Sequence, residues 1–306
     1  MIKSHLLKNL SYLGLIIASF LLAFPIPVSA GNASLTVASC PPWKHEGDKA
    51  TSEKMLNMCQ LDSQKITESL GNSFSIEKSN QHVLLQKDAT PANLIEKLNT
   101  LRGTVGKGDT LFVYQMSHGG ILPHKYKGYD TVGEVFAYYT VERPDVSNAV
   151  SKGQWLGARD LRDEISRFAV ETGANVLIII EACHAESAGH ELMHNPIERL
   201  NDDEKIAYLF SAGAQQTSTF TDDNTQARFT SDLVLALNNA ASGTSLADIF
   251  SAVRETTHRG ALSKCNKLGK DTLKSVMGSV DYYFENCLQA PNYFDPKGLM
   301  LDLKKL

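Results

Sequence analysis

Two apolar runs mark the middle of the chain. Val176–Ile180 holds five consecutive apolar residues, most of them β-branched, and Gly173 lies shortly before it. Thr110–Met116 is a second, largely apolar run, and it is followed directly by Ser117 and His118. Strands that are buried on both faces have this pattern, because neither face meets water. Both runs are therefore predicted to be core strands of a mostly parallel sheet.

Other stretches repeat apolar residues at the spacing of amphipathic helices. Thr90 followed by Pro91 marks one helix start clearly, because threonine caps the first turn and proline suits the first helical position. Helices and strands that alternate in this way indicate an α/β fold. Helices are predicted at residues 52–70, 91–101, 158–171, 231–240 and 245–256, and further strands at 33–38, 74–86 and 134–141.

The order strand, helix, strand between the two apolar runs has a geometric consequence. Such a unit places two parallel strands side by side, with their carboxyl ends at the same edge of the sheet. His118 follows one of these strands and Cys183 follows the other, so the two side chains are predicted to meet across a crevice. A thiolate beside a histidine can perform nucleophilic catalysis, with the N–H groups of Gly119 and Cys183 as donors to the oxyanion. The alternative for Cys183 is inert packing in the core.

The composition is that of a globular protein with a mild excess of acid. The 306 residues include 34 acidic and 30 basic side chains, which gives a formal net charge of −4 at pH 7. This balance gives no reason to expect nucleic acid as a partner. No internal repeat or linker interrupts residues 31–306, so we expect one catalytic domain there.

The first 30 residues have the three parts of a secretory signal peptide. Lys3 and Lys8 precede an apolar stretch at residues 13–24, and small residues lead up to Ala30. A membrane anchor is the alternative, but the stretch is short for a span of about 20 residues. We therefore expect cleavage after Ala30, a secreted or periplasmic protein, and no stable membrane association afterwards.

Export changes the interpretation of the five cysteines. Exported proteins normally pair their thiols, and two pairs here lie close in sequence. Disulfides are predicted between Cys40 and Cys59 and between Cys265 and Cys287. Cys183 would then be the remaining thiol, which strengthens its interpretation as a nucleophile.

Several short motifs lie at and after the ends of the two apolar runs. They are Ser117-His118-Gly119-Gly120, Glu181-Ala182-Cys183, a strand at 206–211, Gln216-Thr217-Ser218, Phe229-Thr230 and Gln289-Ala290-Pro291. In these motifs the sequence resembles the caspase-like cysteine peptidases, a group that includes caspases, metacaspases and legumains. The resemblance implies that His118 and Cys183 form the catalytic dyad and that Gly119 and Cys183 supply the oxyanion donors. It also implies a three-layer fold in which helices flank a mostly parallel sheet of about six strands.

Glu181 stands where the resemblance places the pocket for the substrate residue before the scissile bond, P1. A buried carboxylate there would attract an arginine or lysine. Legumains carry glutamate at this place and cut after asparagine, and Ala214 and Gln215 replace the acidic residues of metacaspases. We therefore expect a basic residue or asparagine at P1. The alternative is that Glu181 is a structural hydrogen-bond acceptor.

A competing motif follows the cysteine. His190, Glu191 and His194 satisfy the HExxH pattern of zinc peptidases, in which the two histidines share one face of a helix. Pro196 limits such a helix, because proline disfavours helical geometry in the residue before it. We therefore favour a processing loop over a metal site; its possible cut points are Arg199, Asn201 and Lys205.

Three functions from other classes stay open at this point: a zinc peptidase, a transpeptidase that uses the same thiol, and a non-catalytic binding protein on a peptidase fold. The expected partner is a peptide or protein substrate, and no cofactor or metal is expected. Calcium activation is an open alternative, for which the helix-start acids Asp160, Asp163 and Glu164 are the candidate ligands. The sequence leaves the oligomeric state undecided.

Overall fold

The computed structural model describes residues 31–40, 49–122, 133–137, 155–188, 205–267 and 287–306. The predicted signal peptide at residues 1–30 lies outside these ranges. No helix within them is long and apolar enough to cross a membrane.

Nine strands occur in the described ranges, and six of them form one sheet. They are β1 (Ala33–Ala38), β2 (Gln81–Leu85), β3 (Thr110–Met116), β4 (His118–Leu122), β5 (Gly133–Ala137), β6 (Trp155–Gly157), β7 (Asn175–Glu181), β8 (Ile206–Phe210) and β9 (Asn292–Phe294). The main sheet has the order β2-β1-β3-β7-β8-β9. All its pairings are parallel except β8 with β9. The predicted class, α/β with a mostly parallel six-stranded sheet, is confirmed.

A second sheet extends from the end of β3. Strands β4, β5 and β6 pair antiparallel in that order. The strand predicted at 134–141 is observed as β5, and residues 138–141 lie outside the described ranges.

Helices cover both faces of the main sheet. They are α1 (Lys49–Ser73), α2 (Pro91–Leu101), α3 (Ala158–Thr172), α4 (Arg228–Asn239), α5 (Leu246–Lys267) and α6 (Leu299–Asp302). Helices α2 and α3 pack on one face, where they meet alternate strand residues such as Val113 and Ile178. Helices α1, α4 and α5 pack on the other face, against the intervening residues such as Phe112 and Ile179. Burial on both faces explains the continuous apolar runs of β3 and β7.

Local chemistry sets several helix ends. The side chain of Thr90 accepts a hydrogen bond from Asn93 N at 3.2 Å, which caps α2 as predicted. Helix α3 ends at Gly173, whose φ of 70° lies in the left-handed region that glycine adopts without strain. This glycine is the break that precedes β7.

Two predicted ranges differ most from the structure. The strand expected at 74–86 is confined to β2, because α1 continues to Ser73 and a 3₁₀ turn occupies Lys78–Asn80. The helix expected at 245–256 continues to Lys267, since Thr257, Ala261 and Cys265 carry its buried face onward. His258, which follows the predicted helix end at residue 256, therefore lies inside α5.

The structure contains both predicted disulfides. Cys40–Cys59 joins the end of β1 to α1, and Cys265–Cys287 joins the end of α5 to the segment that leads into β9. Both span short stretches of sequence, with separations of 19 and 22 residues.

Candidate active site

The pairing register of β3 and β7 places His118 and Cys183 at equivalent positions just beyond the ends of these two neighbouring strands. Strands β3 and β7 pair so that Met116 lies opposite Glu181. Each of the two candidate catalytic residues follows its strand by two positions. The amide of Ser117 donates to the carbonyl of Glu181 at 3.2 Å, which carries the pairing past the strand ends.

A cleft opens where the two strands end, and both residues line it. His118 and Cys183 are half-buried, and Cys183 belongs to neither disulfide. The walls are mostly apolar, and the polar groups gather near the strand ends. The remaining lining residues are Cys40, Met55, Met58, Met116, Ser117, Glu181, Ala182, Ser218, Phe220 and Ala227.

Hydrogen bonds hold the loop that carries Cys183. His184 adopts a φ of 60°, an uncommon conformation for a residue other than glycine. Its amide donates to Gln216 O at 2.8 Å, and its Nδ1 donates to Ala214 O at 3.2 Å. Glu186 N donates to Ala212 O at 3.0 Å. The loop that carries the candidate nucleophile Cys183, called the nucleophile loop below, is therefore attached to the loop that follows β8.

Glu181 lies directly behind the cleft and is only 2 % exposed. One carboxylate oxygen, Oε2, accepts from Thr230 N at 3.1 Å and from Thr230 Oγ1 at 2.8 Å. The other, Oε1, accepts from the hydroxyl of Ser218. Tyr114 also reaches this network, since its hydroxyl lies 2.7 Å from Thr230 Oγ1. Glu181 thus has the contacts of a structural acceptor while it also lines the cleft.

Burial changes the acidity of this network. It raises the pKa of Glu181 to about 7, although the hydrogen bonds from Ser218 and Thr230 oppose the shift. Burial also raises the pKa of Asp62, to about 6, against the hydrogen bonds from Ala227 N and the Gln226 side chain. The pKa of Tyr114 is well above its usual value, because the hydroxyl is buried and Glu181 lies near it. Neutral Glu181 is therefore available to the site near physiological pH.

Gln289 supports the cleft wall from behind. Its side chain is fully buried, and its Nε2 donates to Ser211 O at 2.8 Å. Its Oε1 accepts from Thr219 N at 3.0 Å and from Thr219 Oγ1 at 2.6 Å. These bonds fix the segment that contains Ser218 and Phe220. The motif Gln289-Ala290-Pro291 signalled this residue in the sequence but not its role.

Several supporting residues had no signal in the sequence. Asp62 lies on α1, far from the motifs, and accepts from Ala227 N at 2.8 Å. Met55 and Met58 lie in the helix predicted at residues 52–70, and they line the cleft. Gly119 was predicted as an oxyanion donor; the structure places it in β4, opposite Phe136.

The structure gives no support for a metal site in the residues that it describes. His190, Glu191 and His194 lie outside the described residues, as do the possible cut points Arg199 and Asn201. Within the described ranges, no group of three or more His, Cys, Asp or Glu residues is placed to hold a metal ion.

The remaining candidate residues lie in the described ranges. Asp163 pairs with Arg162 and Glu164 pairs with Arg167, on the α3 segment that also carries Asp160. Lys205 is fixed at the start of β8, where its amide donates to Asn175 Oδ1 at 3.2 Å.

Comparison with known proteins identifies the same fold. The family model of the caspase domain matches residues 47–276. A crystal structure of protein GSU0716 from Geobacter sulfurreducens is similar at 15% identity and a TM-score of 0.52, over 90% of this protein and 97% of that one. The crystal structure of caspase-1 from Spodoptera frugiperda has 12% identity and a TM-score of 0.49, over 89% and 88% of the two proteins. No curated protein has a significantly similar sequence.

Proposed function

Because the protein belongs to the caspase-domain family of cysteine peptidases, we propose that it is an endopeptidase in which Cys183 is the nucleophile and His118 the general acid–base. The observation that carries the proposal is the shared cleft: both residues lie two positions beyond paired strand ends and line one opening. Family membership supports the reaction class, and this geometry supports the choice of residues.

The chemistry follows from this arrangement. The thiolate of Cys183 attacks the scissile carbonyl, and His118 protonates the departing amine. The backbone N–H groups of Gly119 and Cys183 are the proposed donors to the oxyanion. Water then hydrolyses the thioester, with His118 accepting its proton, and the thiol is regenerated. This mechanism requires no metal or cofactor. Calcium activation would be tested separately, by measuring turnover with and without added calcium.

For the P1 residue we propose lysine, arginine or asparagine. The cleft combines a buried carboxylate, Glu181, with the hydroxyl of Ser218 and with apolar walls that include Met58 and Phe220. A side chain with an aliphatic part and a hydrogen-bonding end suits such a site. An ionised Glu181 favours a cationic end, and a neutral Glu181 favours an amide.

We further propose that the protein acts outside the cytoplasm, secreted or periplasmic, on peptides or proteins. The support is the composition of residues 1–30 and the two disulfides, which persist in oxidising compartments.

The test is hydrolysis of a fluorogenic peptide library by the mature protein and by Cys183→Ala and His118→Ala variants. We expect both variants to lose turnover, and we expect a zinc chelator to leave the unmodified protein active. The cleaved sequences give the P1 preference, and a parallel reaction with an added amine shows whether new amide bonds form. Full activity of Cys183→Ala would contradict the mechanism. Loss of activity only with the chelator would move the site to His190 and His194.

A shift of the P1 preference in a Glu181→Gln variant would support the pocket role. An unchanged preference would leave Glu181 with a structural role alone.

A further inference from the structure

A second cavity lies beside the nucleophile loop, and no described residue lines both this cavity and the catalytic cleft. The loop after β8, helix α5 and the segment before β9 enclose it. Its polar lining includes Gln216, Arg254 and His258, and Leu288 and Ala290 supply apolar surface. The mechanism described above uses none of these residues.

The best-defined group in this cavity is the side-chain amide of Gln216, a residue that is only 4% exposed. Its Oε1 accepts from Gly213 N at 3.1 Å and from Ala290 N at 2.8 Å. Two N–H donors on one atom identify that atom as the oxygen, so the amide orientation is fixed. The Nε2 donors have no partner among the described residues. Its N–H groups are therefore available to a ligand in the cavity.

Gly213 makes this arrangement possible. A Cβ atom at that position would lie 2.8 Å from Gln216 Oε1 and 3.4 Å from a carboxylate oxygen of Glu186. Any larger residue would therefore displace the amide from the cavity wall.

Two further polar side chains come from helix α5. Arg254 and His258 are one helical turn apart, so both reach the same side of the cavity. Arg254 is exposed and forms no ion pair with any residue that the structure describes. His258 donates from Nδ1 to Gln289 O at 3.2 Å, which leaves Nε2 on the opposite side of the ring for a ligand.

Among the described residues that line the cavity, Glu186 is the only acid, and both its oxygens are occupied. Oε2 accepts from Ala214 N at 3.2 Å, and Oε1 accepts from the side chain of Asn292. Guanidinium and amide donors together match the planar acceptor of a carboxylate. We propose that this cavity binds a peptide carboxylate, supplied either by an acidic side chain or by the carboxyl terminus of the peptide. Leu288 and Ala290 would pack against the aliphatic part of that residue.

Hydrogen bonds link the proposed site to the nucleophile loop. The backbone oxygen of Gln216 accepts from His184 N, directly after Cys183. Binding is nevertheless independent of peptidase activity, so it can be measured in an inactive protein.

The experiment is an NMR titration of the Cys183→Ala protein, with the Gln216 side-chain amide and the His258 ring as reporters. The ligands are N-acetyl-glutamate α-methylamide, which carries only a side-chain carboxylate, and N-acetyl-alanine, which carries only a terminal one. N-acetyl-glutamine methylamide is the neutral control. We expect saturable shifts with at least one carboxylate, which also identifies the source, and none with the neutral compound.

Variants of α5 make the test specific. Arg254→Ala should weaken binding roughly tenfold or more, as expected for the loss of a charge-assisted hydrogen bond. Arg259→Ala is the matched control, because Arg259 is also an exposed arginine on α5 but pairs with Glu255 and does not line the cavity. The proposal would be overturned if the Arg254→Ala and Arg259→Ala variants bound the carboxylate with equal affinity. It would also be overturned if the neutral compound bound as well as the carboxylates, or if no ligand gave a saturable shift.

Discussion

Replacing Glu181 with glutamine should change how stability depends on pH. Burial raises the pKa of Glu181 from 4.5 to about 7, so the folded protein holds a proton that the unfolded protein has released. Below pH 4.5 both states are protonated, and above about pH 7 both are ionised. Between these values the free energy of unfolding falls by about 1.4 kcal/mol for each pH unit. Ionisation of Glu181 therefore lowers the free energy of unfolding by about 3 kcal/mol in total between pH 4.5 and about pH 7.

Glutamine resembles the neutral acid and does not titrate. Its oxygen can accept from Thr230, and its amide can donate to the hydroxyl of Ser218. We therefore expect Glu181→Gln to match the unmodified protein below pH 4.5 and to be more stable by about 3 kcal/mol near pH 8. Asp62, whose pKa is about 6, titrates in both proteins, so a smaller decline at lower pH remains in the variant.

The assay is urea-induced unfolding followed by circular dichroism, carried out in the Cys183→Ala background so that self-cleavage does not interfere. The two proteins are compared at several pH values from about 4 to about 8, a range that spans both pKa values. Parallel pH profiles for the two proteins would refute the reasoning. So would a Glu181→Gln variant that is less stable than its parent near pH 8.

Three further predictions concern stability and use the same urea assay. Replacing Cys40 and Cys59 together with serine should lower the free energy of unfolding by about 3 kcal/mol, because the unfolded protein regains the entropy of an open loop; an unchanged midpoint would contradict this. Thr230→Val should cost about 1–3 kcal/mol, because the Tyr114 hydroxyl and Glu181 Oε2 each lose the Thr230 hydroxyl as a hydrogen-bond partner. Adding Tyr114→Phe to this variant should recover part of that loss, because no hydroxyl is then left without a partner. If the effects of the two substitutions simply add, the hydrogen bond between Tyr114 and Thr230 does not contribute to stability. Thr90→Ala should cost about 1 kcal/mol through the lost helix cap, and equal stability would show that the cap is dispensable.

The central fold was predictable because its signals are local. A strand buried on both faces must be apolar throughout, and β3 and β7 were found with their bounds nearly correct for that reason. Thr90 and Pro91 marked a helix start through backbone chemistry that needs no tertiary contact. The parallel pairing then followed from the strand–helix–strand topology, which placed His118 and Cys183 at one edge.

The errors came from stretches whose structure depends on distant contacts. Phe74 and Ile76 are apolar and suggested an early start for β2, but they pack in the core cluster beside α1. The end of α5 was missed because its buried positions become sparse and small, with Thr257 and Ala261 replacing larger residues.

The residues that support the site could not be predicted from the sequence for a related reason. Asp62 reaches Ala227 across 165 positions of sequence, and no periodicity or motif connects them. Such contacts become visible only when the elements are assembled. The motif Phe229-Thr230 pointed to the right place, but the hydrogen bonds from Thr230 to Glu181 could not be inferred from it.

Long-range contacts of the same kind fix the residues on either side of Cys183, the proposed nucleophile. On its N-terminal side, Ser211 Oγ bonds both the amide and the carbonyl of Ala182 at 3.1 Å. On its C-terminal side, the His184 amide is held by Gln216 O. Cys183 therefore lies between two residues that are both fixed to the segment after β8. A thiol held from both sides loses little conformational freedom on reaching a reactive geometry, which is the physical basis of preorganisation. It follows that substitutions in that segment should affect turnover even though they do not touch the substrate.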